Sequence, residues 1–408
     1  MDSKTNTSSL PVLFASGRAL SLQLGSIFVS RLVVSTSRRM VYTFAYAFSR
    51  GLGVPLTSIT SLIALNQATG LLGPVFGFLG DYSGYKAIMM AGLGVLSAGL
   101  WLGGLLPGYV TLALALVLIG LAKALFDPNA QACVGEQIPY GRRGFAMGLL
   151  EMSWAGSTLI GVPLVGVLIE RMGWQSSLLV MGVLGALCLI AVTLFVPGDG
   201  RHRRAQERSK NFAQVWRQMR GNRSVAWVLG FTFFICAAND VLFVVYGVWL
   251  ESSFGLTLVA LGAATMVIGV AEMLGEGLTA LVSDRAGLGR ALTVGMSATV
   301  LSYFLLFVIA RTLPLALLGI FLVFLSFEFT IVTSFAHFTE ILPGARGTMM
   351  SFNLAAGSLG RVTGALLGGG IWLAGGMPAI SVSAGLVSVF ALGCLVLALR
   401  RGGITQSG

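Results

Sequence analysis

Apolar runs about twenty residues long, separated by short polar breaks, recur from about residue 22 to the end of the chain. A helix needs roughly 20 apolar residues to cross the hydrocarbon core of a bilayer. The runs place candidate spans at 24–48, 58–79, 87–106, 109–133, 145–169, 176–196, 224–250, 257–282, 291–310, 314–338, 347–372 and 378–399. The breaks hold turn residues, among them Pro107-Gly108, Gly173-Trp174 and Gly375-Gly376-Met377-Pro378, which interrupt or reverse a helix. A membrane barrel would need alternating segments of roughly ten residues, and these runs are longer and do not alternate. The pattern predicts an all-α membrane protein with about twelve transmembrane helices.

Composition agrees. Of 408 residues, 56% are hydrophobic and 10% charged, whereas soluble domains carry roughly 25% charge because their surface faces water. Most of this exterior must therefore face lipid. The 55 glycines suit such helices, since small residues let backbones approach where no hydrophobic effect joins them. Cys133, Cys188, Cys236 and Cys394 fall within or at the ends of apolar runs without CxxC spacing. They read as packing residues, with no disulfide framework or metal site implied. The first twenty residues lack the cleavage pattern of a signal peptide.

A net charge of +11 raises the question of a nucleic-acid partner, and its placement answers against one. With the N-terminus in the cytoplasm, 18 of the 26 Lys and Arg fall in cytoplasmic segments, including Lys86, Arg142, Arg143, Arg285, Arg290, Arg346, Arg400 and Arg401. Three, Arg50, Arg171 and Arg311, fall in external turns. This is the positive-inside asymmetry, and it predicts cytoplasmic termini. The most basic stretch, 197–223, sets eight bases against Asp199 and Glu207 and reads as a linker beside anionic headgroups. The expected organisation is a tail at 1–22, a six-helix bundle at 23–196, the linker at 197–223, a second bundle at 224–400 and a tail at 401–408.

The two bundles resemble each other. Asp81, in GFLGDYSGYK (77–86), and Asp284, in ALVSDRAGLGR (280–290), lie 203 residues apart, each with a glycine three later and a base shortly after. Glu136-Gln-Ile-Pro139 with Arg143-Gly144 is echoed by Glu340-Ile-Leu-Pro343 with Arg346-Gly347 at nearly the same offset. Duplication of this kind underlies alternating-access transporters, whose substrate site lies between the repeats. Residues 77–86 resemble the signature loop of the major facilitator superfamily, G-x-L-x-D-x-x-G-x-[RK], at Gly77, Leu79, Asp81, Gly84 and Lys86. Tyr82 stands where the family usually has a base; the second copy keeps Arg285. The resemblance implies that this loop and its echo (Asp284, Arg285, Arg290) latch a cytoplasmic gate. In span 5, Gly161, Pro163 and Gly166 are similar to the Gly/Pro motif of the family's drug antiporters, with Val162 inserted; Leu116 replaces the arginine such antiporters often carry in span 4.

Ionisable residues at the bilayer centre cost roughly 2.5–3.5 kcal/mol each on insertion scales and mark function by default. They are Arg38 and Arg39 in span 1, Lys123 and Asp127 in span 4, Glu151 in span 5, Asp240 in span 7, Glu272 and Glu276 in span 8, Glu328 in span 10 and Arg361 in span 11. Spans 3, 6, 9 and 12 have none, and the family resemblance puts those four outermost and spans 1, 4, 7 and 10 around the cavity. Arg31, Ser35, Arg38 or Arg39, Tyr42 and Tyr46 share one face of span 1, as do Lys123, Asp127 and Gln131 in span 4. Glu272 and Glu276, one turn apart, repel in low dielectric, which suits a carboxyl that carries a transported proton. The first half is richer in bases and the second in acids, so the cavity reads as bipolar. The alternative is structural pairing, for example Arg39 with Asp127 and Arg361 with Glu276.

Trp101, Trp174, Trp249 and Trp372 fall at external span ends, fitting an interfacial belt. Trp154 lies mid-span, and His337 reads as a packed residue. No HExxH, GxSxG or Walker A motif occurs and there are two histidines, so neither an enzyme nor an ATP-driven pump is expected, and no cofactor or metal. The expectation is a monomeric secondary transporter in the cytoplasmic (inner) membrane of a bacterium. It moves a small charged or amphiphilic solute, with protons as the coupling ion. Efflux by antiport comes first; an uptake symporter or a lipid or glycolipid flippase of the same fold are the alternatives.

Overall fold

A computed structural model describes residues 17–137, 150–198, 223–341 and 346–401. Most of the 197–223 segment, both chain ends, the start of the fifth span and the Pro139 and Pro343 motifs lie outside the described residues. Regular structure in the described part is helical throughout. Helix α1 is Gly17–Thr43 continued by Ala45–Leu52; the amides of Phe44 and Phe48 still bond to Met40 and Phe44 carbonyls at 3.0 and 3.1 Å, so the crossing is continuous. Helix α2 is Leu56–Ala68, a 3₁₀ turn at Thr69–Leu72 and Gly73–Ser83. Then come α3 (Tyr85–Leu105), α4 (Tyr109–Gln137), α5 (Leu150–Met172) and α6 (Trp174–Phe195). The second half repeats the plan with α7 (Arg223–Phe243 and Tyr246–Phe254), α8 (Leu258–Ala286), α9 (Leu288–Ile309) and α10 (Leu313–Ile341). The limbs of Arg346–Arg401, broken where Gly375 and Gly376 leave helical geometry, are α11 and α12. Each candidate span lands on one helix.

The turns carry the duplication further than the sequence motifs do. Glycines with positive φ pair as Gly53 with Gly255 (65° and 64°), Gly84 with Gly287 (97° and 80°) and Gly173 with Gly376 (82° and 59°), at separations of 202, 203 and 203 residues. A β-carbon disfavours that backbone region, so each glycine fixes a turn between the same two helices of its half.

Glycine also sets the tightest packing. On α11, a β-carbon added at Gly360 would run into the Phe233 carbonyl oxygen of α7, and one at Gly364 would lie 2.5 Å from that of Ala237. The two backbones are in contact, which brings Arg361 beside Asp240. Between the halves, α5 meets α8 and α2 meets α11. A β-carbon at Gly166 would lie 2.7 Å from the Leu258 carbonyl oxygen, and one at Gly369 2.7 Å from Thr60 Oγ1. Exposed apolar rows run along α6 (Leu184, Leu187, Ile190, Leu194), α9 (Val294, Leu301, Leu305, Val308) and α12 (Leu386, Val389, Phe390). Over an apolar stretch of 18 residues 33% of α6 is buried, against 78% for the corresponding stretch of α7, which fits α6 on the outside and α7 inside the bundle. Two belt assignments are corrected. Trp174 and Trp249 are buried; Trp174 lies over Gly51, where a β-carbon would collide with its indole. Trp101 remains exposed.

Candidate functional site

The polar face of α1 runs along the seam between the halves. Near its centre, Asp240 of α7 is fully buried and receives bonds from both sides. Tyr42 donates its hydroxyl to Oδ1 at 3.2 Å, Gln67 of α2 donates to Oδ1 at 3.3 Å, and Arg361 of α11 donates to Oδ2 at 3.1 Å. Gln67 also bonds to the Tyr42 hydroxyl. One carboxylate thus ties two first-half helices to the second half.

A turn earlier on α1, Arg39 makes a two-pronged pair with Glu272 of α8, at 2.8 and 2.6 Å, with both side chains buried. This fork-to-carboxylate geometry is the strong form of the charged hydrogen bond. Thr158 of α5 accepts a further bond from Arg39. It sits in a π turn, Ser157–Gly161, just before Pro163. Proline has no N–H to offer the helical ladder, and π turns of this kind cluster at functional sites. The Arg39 guanidinium lies 3.8 Å from the centroid of the Trp154 ring, and Lys123 Nζ lies 4.7 Å from it.

The first-half charges close on themselves. Arg31 pairs with Glu151 at 3.0 Å and donates to the Leu150 carbonyl at 2.6 Å. Its Nε lies 3.6 Å from Asp127, an ion pair too long for a hydrogen bond. Lys123 pairs with Asp127, and Gln131 donates to Glu151 at 3.0 Å. The anticipated structural pairs are therefore corrected. Arg39 takes Glu272 rather than Asp127, and Arg361 takes Asp240 rather than Glu276, because the partners meet between helices that the sequence does not place side by side.

Of the charges singled out inside the bundle, three have no ionic partner among the described residues. Glu328 of α10 is 9% exposed and has no hydrogen bond or ion pair there. Its β-carbon lies 2.9 Å from where one on Gly275 would be, so it sits on α8 between Glu272 and Glu276. Glu276, half-buried, likewise has none. Arg38 donates Nε to Asn66 Oδ1 at 3.1 Å, and Asn66 is itself anchored on the Leu116 carbonyl at 2.6 Å. The four Nη hydrogens of Arg38 have no partner in the described part.

Towards the Arg50 end, Arg50 pairs with Glu251 at 2.5 Å and lies 4.5 Å from the Tyr46 ring centroid, Thr43 and Tyr246 hydroxyls meet at 2.6 Å, and Glu170 accepts from the Val259 amide at 2.7 Å. Every hydrogen bond described between the halves lies from the bundle centre to this end. At the other end, Lys86 donates to the Thr193 carbonyl in the last turn of α6 at 2.8 Å, a favourable place for a cation. Gly77, Gly84 and Asp81 lie at the α2–α3 corner, Arg290 is exposed in the first turn of α9, and the side chains of Asp81, Asp284 and Arg285 lie outside the described residues. Gly161 packs on Thr36 of α1 and Pro163 on Gly262 of α8.

Sequence reasoning singled out the ionisable groups at the bundle centre and missed Glu170 and Glu251 at the Arg50 end, the amides Asn66 and Gln67, the Thr158 hydroxyl and the Tyr246 hydroxyl opposite Thr43. Two adjacent amides inside an apolar run were a readable signal; a threonine or tyrosine in such a run is too common to be one.

A family model described as Major Facilitator Superfamily matches residues 27–340. The chain is 25% identical over 312 residues, 76% of this chain and 78% of the relative, to an uncharacterised MFS-type transporter, YceJ, of Bacillus subtilis. It is 27% identical over 352 residues, 83% of this chain and 85% of the relative, to a multi-drug resistance efflux pump PmrA homolog of Lactococcus lactis. Among solved structures, a bacterial homolog of the human lysosomal transporter Spinster, in an inward-facing and unoccupied conformation, superposes with a TM-score of 0.73 at 16% identity, covering 95% of this chain and 97% of that one.

Proposed function

The chain belongs to the major facilitator superfamily and is a multi-pass membrane transporter, and from that premise we propose that it exports a small charged or amphiphilic solute by alternating access, in exchange for protons. The observation that carries this reading is the pair of buried carboxylates, Asp240 and Glu272, each held by partners across the seam. Rocking of the halves separates them from those partners. Glu272 then loses its ionic partner Arg39, at a cost of about 3–5 kcal/mol that a proton on the carboxylate removes, while Asp240 keeps Arg361 and loses two neutral donors that likewise favoured its charged form. Protonation and movement are therefore coupled.

The direction rests on the efflux pump among the relatives and on the Gly/Pro pattern in α5. The positive-inside count supports a cytoplasmic Lys86 end and cytoplasmic termini, so the bonded Arg50 end faces outward and the arrangement is closed to the outside. The protein works as a monomer in the bacterial cytoplasmic membrane, and Asp81, Lys86 and their echo Asp284, Arg285 and Arg290 latch the opposite, cytoplasmic end.

The test is reconstitution in liposomes containing a pH-sensitive dye, with an imposed proton gradient and pooled charged and amphiphilic metabolites. Solute-dependent proton movement opposite to the solute is expected. Movement in the same direction would make the protein a symporter. Solute or lipid flux without proton movement would leave Asp240 and Glu272 as structural or substrate-binding groups.

A further inference from the structure

Most buried charge is neutralised within the described residues. Arg31 and Lys123 are balanced by Asp127 and Glu151, Arg39 by Glu272, and Arg361 by Asp240. What remains is one cation on the first half, Arg38, and two carboxylates on the second, Glu276 and Glu328. Each is costly to keep in a low-dielectric bundle unless something from outside completes it.

The two sites differ in build. Arg38 is held by a relay, Nε to Asn66 and Asn66 to the Leu116 carbonyl, which leaves its Nη edge free. That edge matches a carboxylate or phosphate. Glu328, nine-tenths buried and unpartnered, sits with Glu276 on α8 and offers only acceptors, which suits an ammonium group. Arg38 stands one turn before Tyr42 on α1 and Glu328 one turn after Phe324 on α10, so both lie beside the same group of aromatic rings. The rings of Tyr42, Phe243 and Phe324 lie in that region, with Tyr42 and Phe243 centroids 4.6 Å apart and Phe243 and Phe324 5.5 Å apart.

We propose that the substrate is a zwitterion with an apolar body, its anionic group on Arg38 and its cationic group on Glu276 and Glu328. The proposal rests on the transporter reading above and names the class of solute that site takes. One solute ammonium placed between Glu276 and Glu328 faces both carboxylates at once. A solute with only a positive charge leaves Arg38 unsatisfied; one with only a negative charge leaves both glutamates facing each other.

The experiment uses the full chain in nanodiscs and three probes with one tail, octylphosphocholine, octyltrimethylammonium and octyl phosphate, titrated below micelle formation by calorimetry against empty nanodiscs. The zwitterion should bind about tenfold tighter than either singly charged probe, the factor one charge-assisted hydrogen bond supplies. Arg38→Gln should bring the zwitterion to the level of the cation and leave the cation unchanged. Glu328→Gln should weaken zwitterion and cation alike. Equal binding of cation and zwitterion, with Arg38→Gln indifferent, would overturn the proposal, as would binding of none of the three probes to a protein that transports in liposomes. Because binding is read without flux, specific zwitterion binding by a protein that moves no proton would uphold this assignment and defeat the coupling instead.

Discussion

Arg31, Lys123, Asp127 and Glu151 neutralise one another within α1, α4 and α5, whereas the four carboxylates at the centre of the second half, Asp240, Glu272, Glu276 and Glu328, have one central base in their own half, Arg361. Glu272 reaches across the seam to Arg39, Asp240 is shared between the halves, and Glu276 and Glu328 are left over. A cluster closed within one rigid half keeps its partners whichever way the halves rock. In the proposed cycle a charge bonded across the seam parts from its cross-seam partner. The first arrangement suits structure and the second suits coupling, although the residue types are the same.

The sharpest way to break this contrast is at Asp240. Asp240→Asn should abolish proton-coupled flux and destabilise the protein by about 3–5 kcal/mol, because Arg361 is left buried without its partner. Adding Arg361→Gln should recover most of the unfolding midpoint and none of the coupling. Recovered coupling in the double variant would reduce the pair to a structural one. Glu328→Gln comes next. Flux should fall about tenfold, with the midpoint unchanged or raised, since removing an unpaired buried charge relieves a cost. A fall in both would mean that Glu328 holds the fold.

Within the first half, Lys123→Met with Asp127→Leu should retain most of the flux, while each single change should lower the midpoint by leaving its partner unpaired. A double variant as inactive as Asp240→Asn would erase the distinction between the halves. The smallest effect belongs to the Arg50 end. Arg50 is 54% exposed, so Arg50→Gln should cost no more than about 1 kcal/mol. Its effect on the unfolding midpoint should shrink further in high salt; a large, salt-independent loss would show a buried lock instead.

The apolar runs alone define the helices, their number and their order, because a bilayer leaves a chain few other ways to satisfy its backbone. The recurrent spacing around Asp81 and Asp284 identifies the duplication, and the intramembrane charges mark the seam region, since burying them in lipid is costly wherever they point. Partner choice is a matter of packing between helices. Arg39 and Glu272 are 233 residues apart, and whether they meet depends on how closely α1, α5 and α8 approach. The glycines at 161, 166 and 262 and the π turn before Pro163 govern that approach without announcing its geometry. Asn66 and Gln67 became site residues the same way: an amide in a membrane helix has a partner somewhere, and only the neighbouring helix decides which.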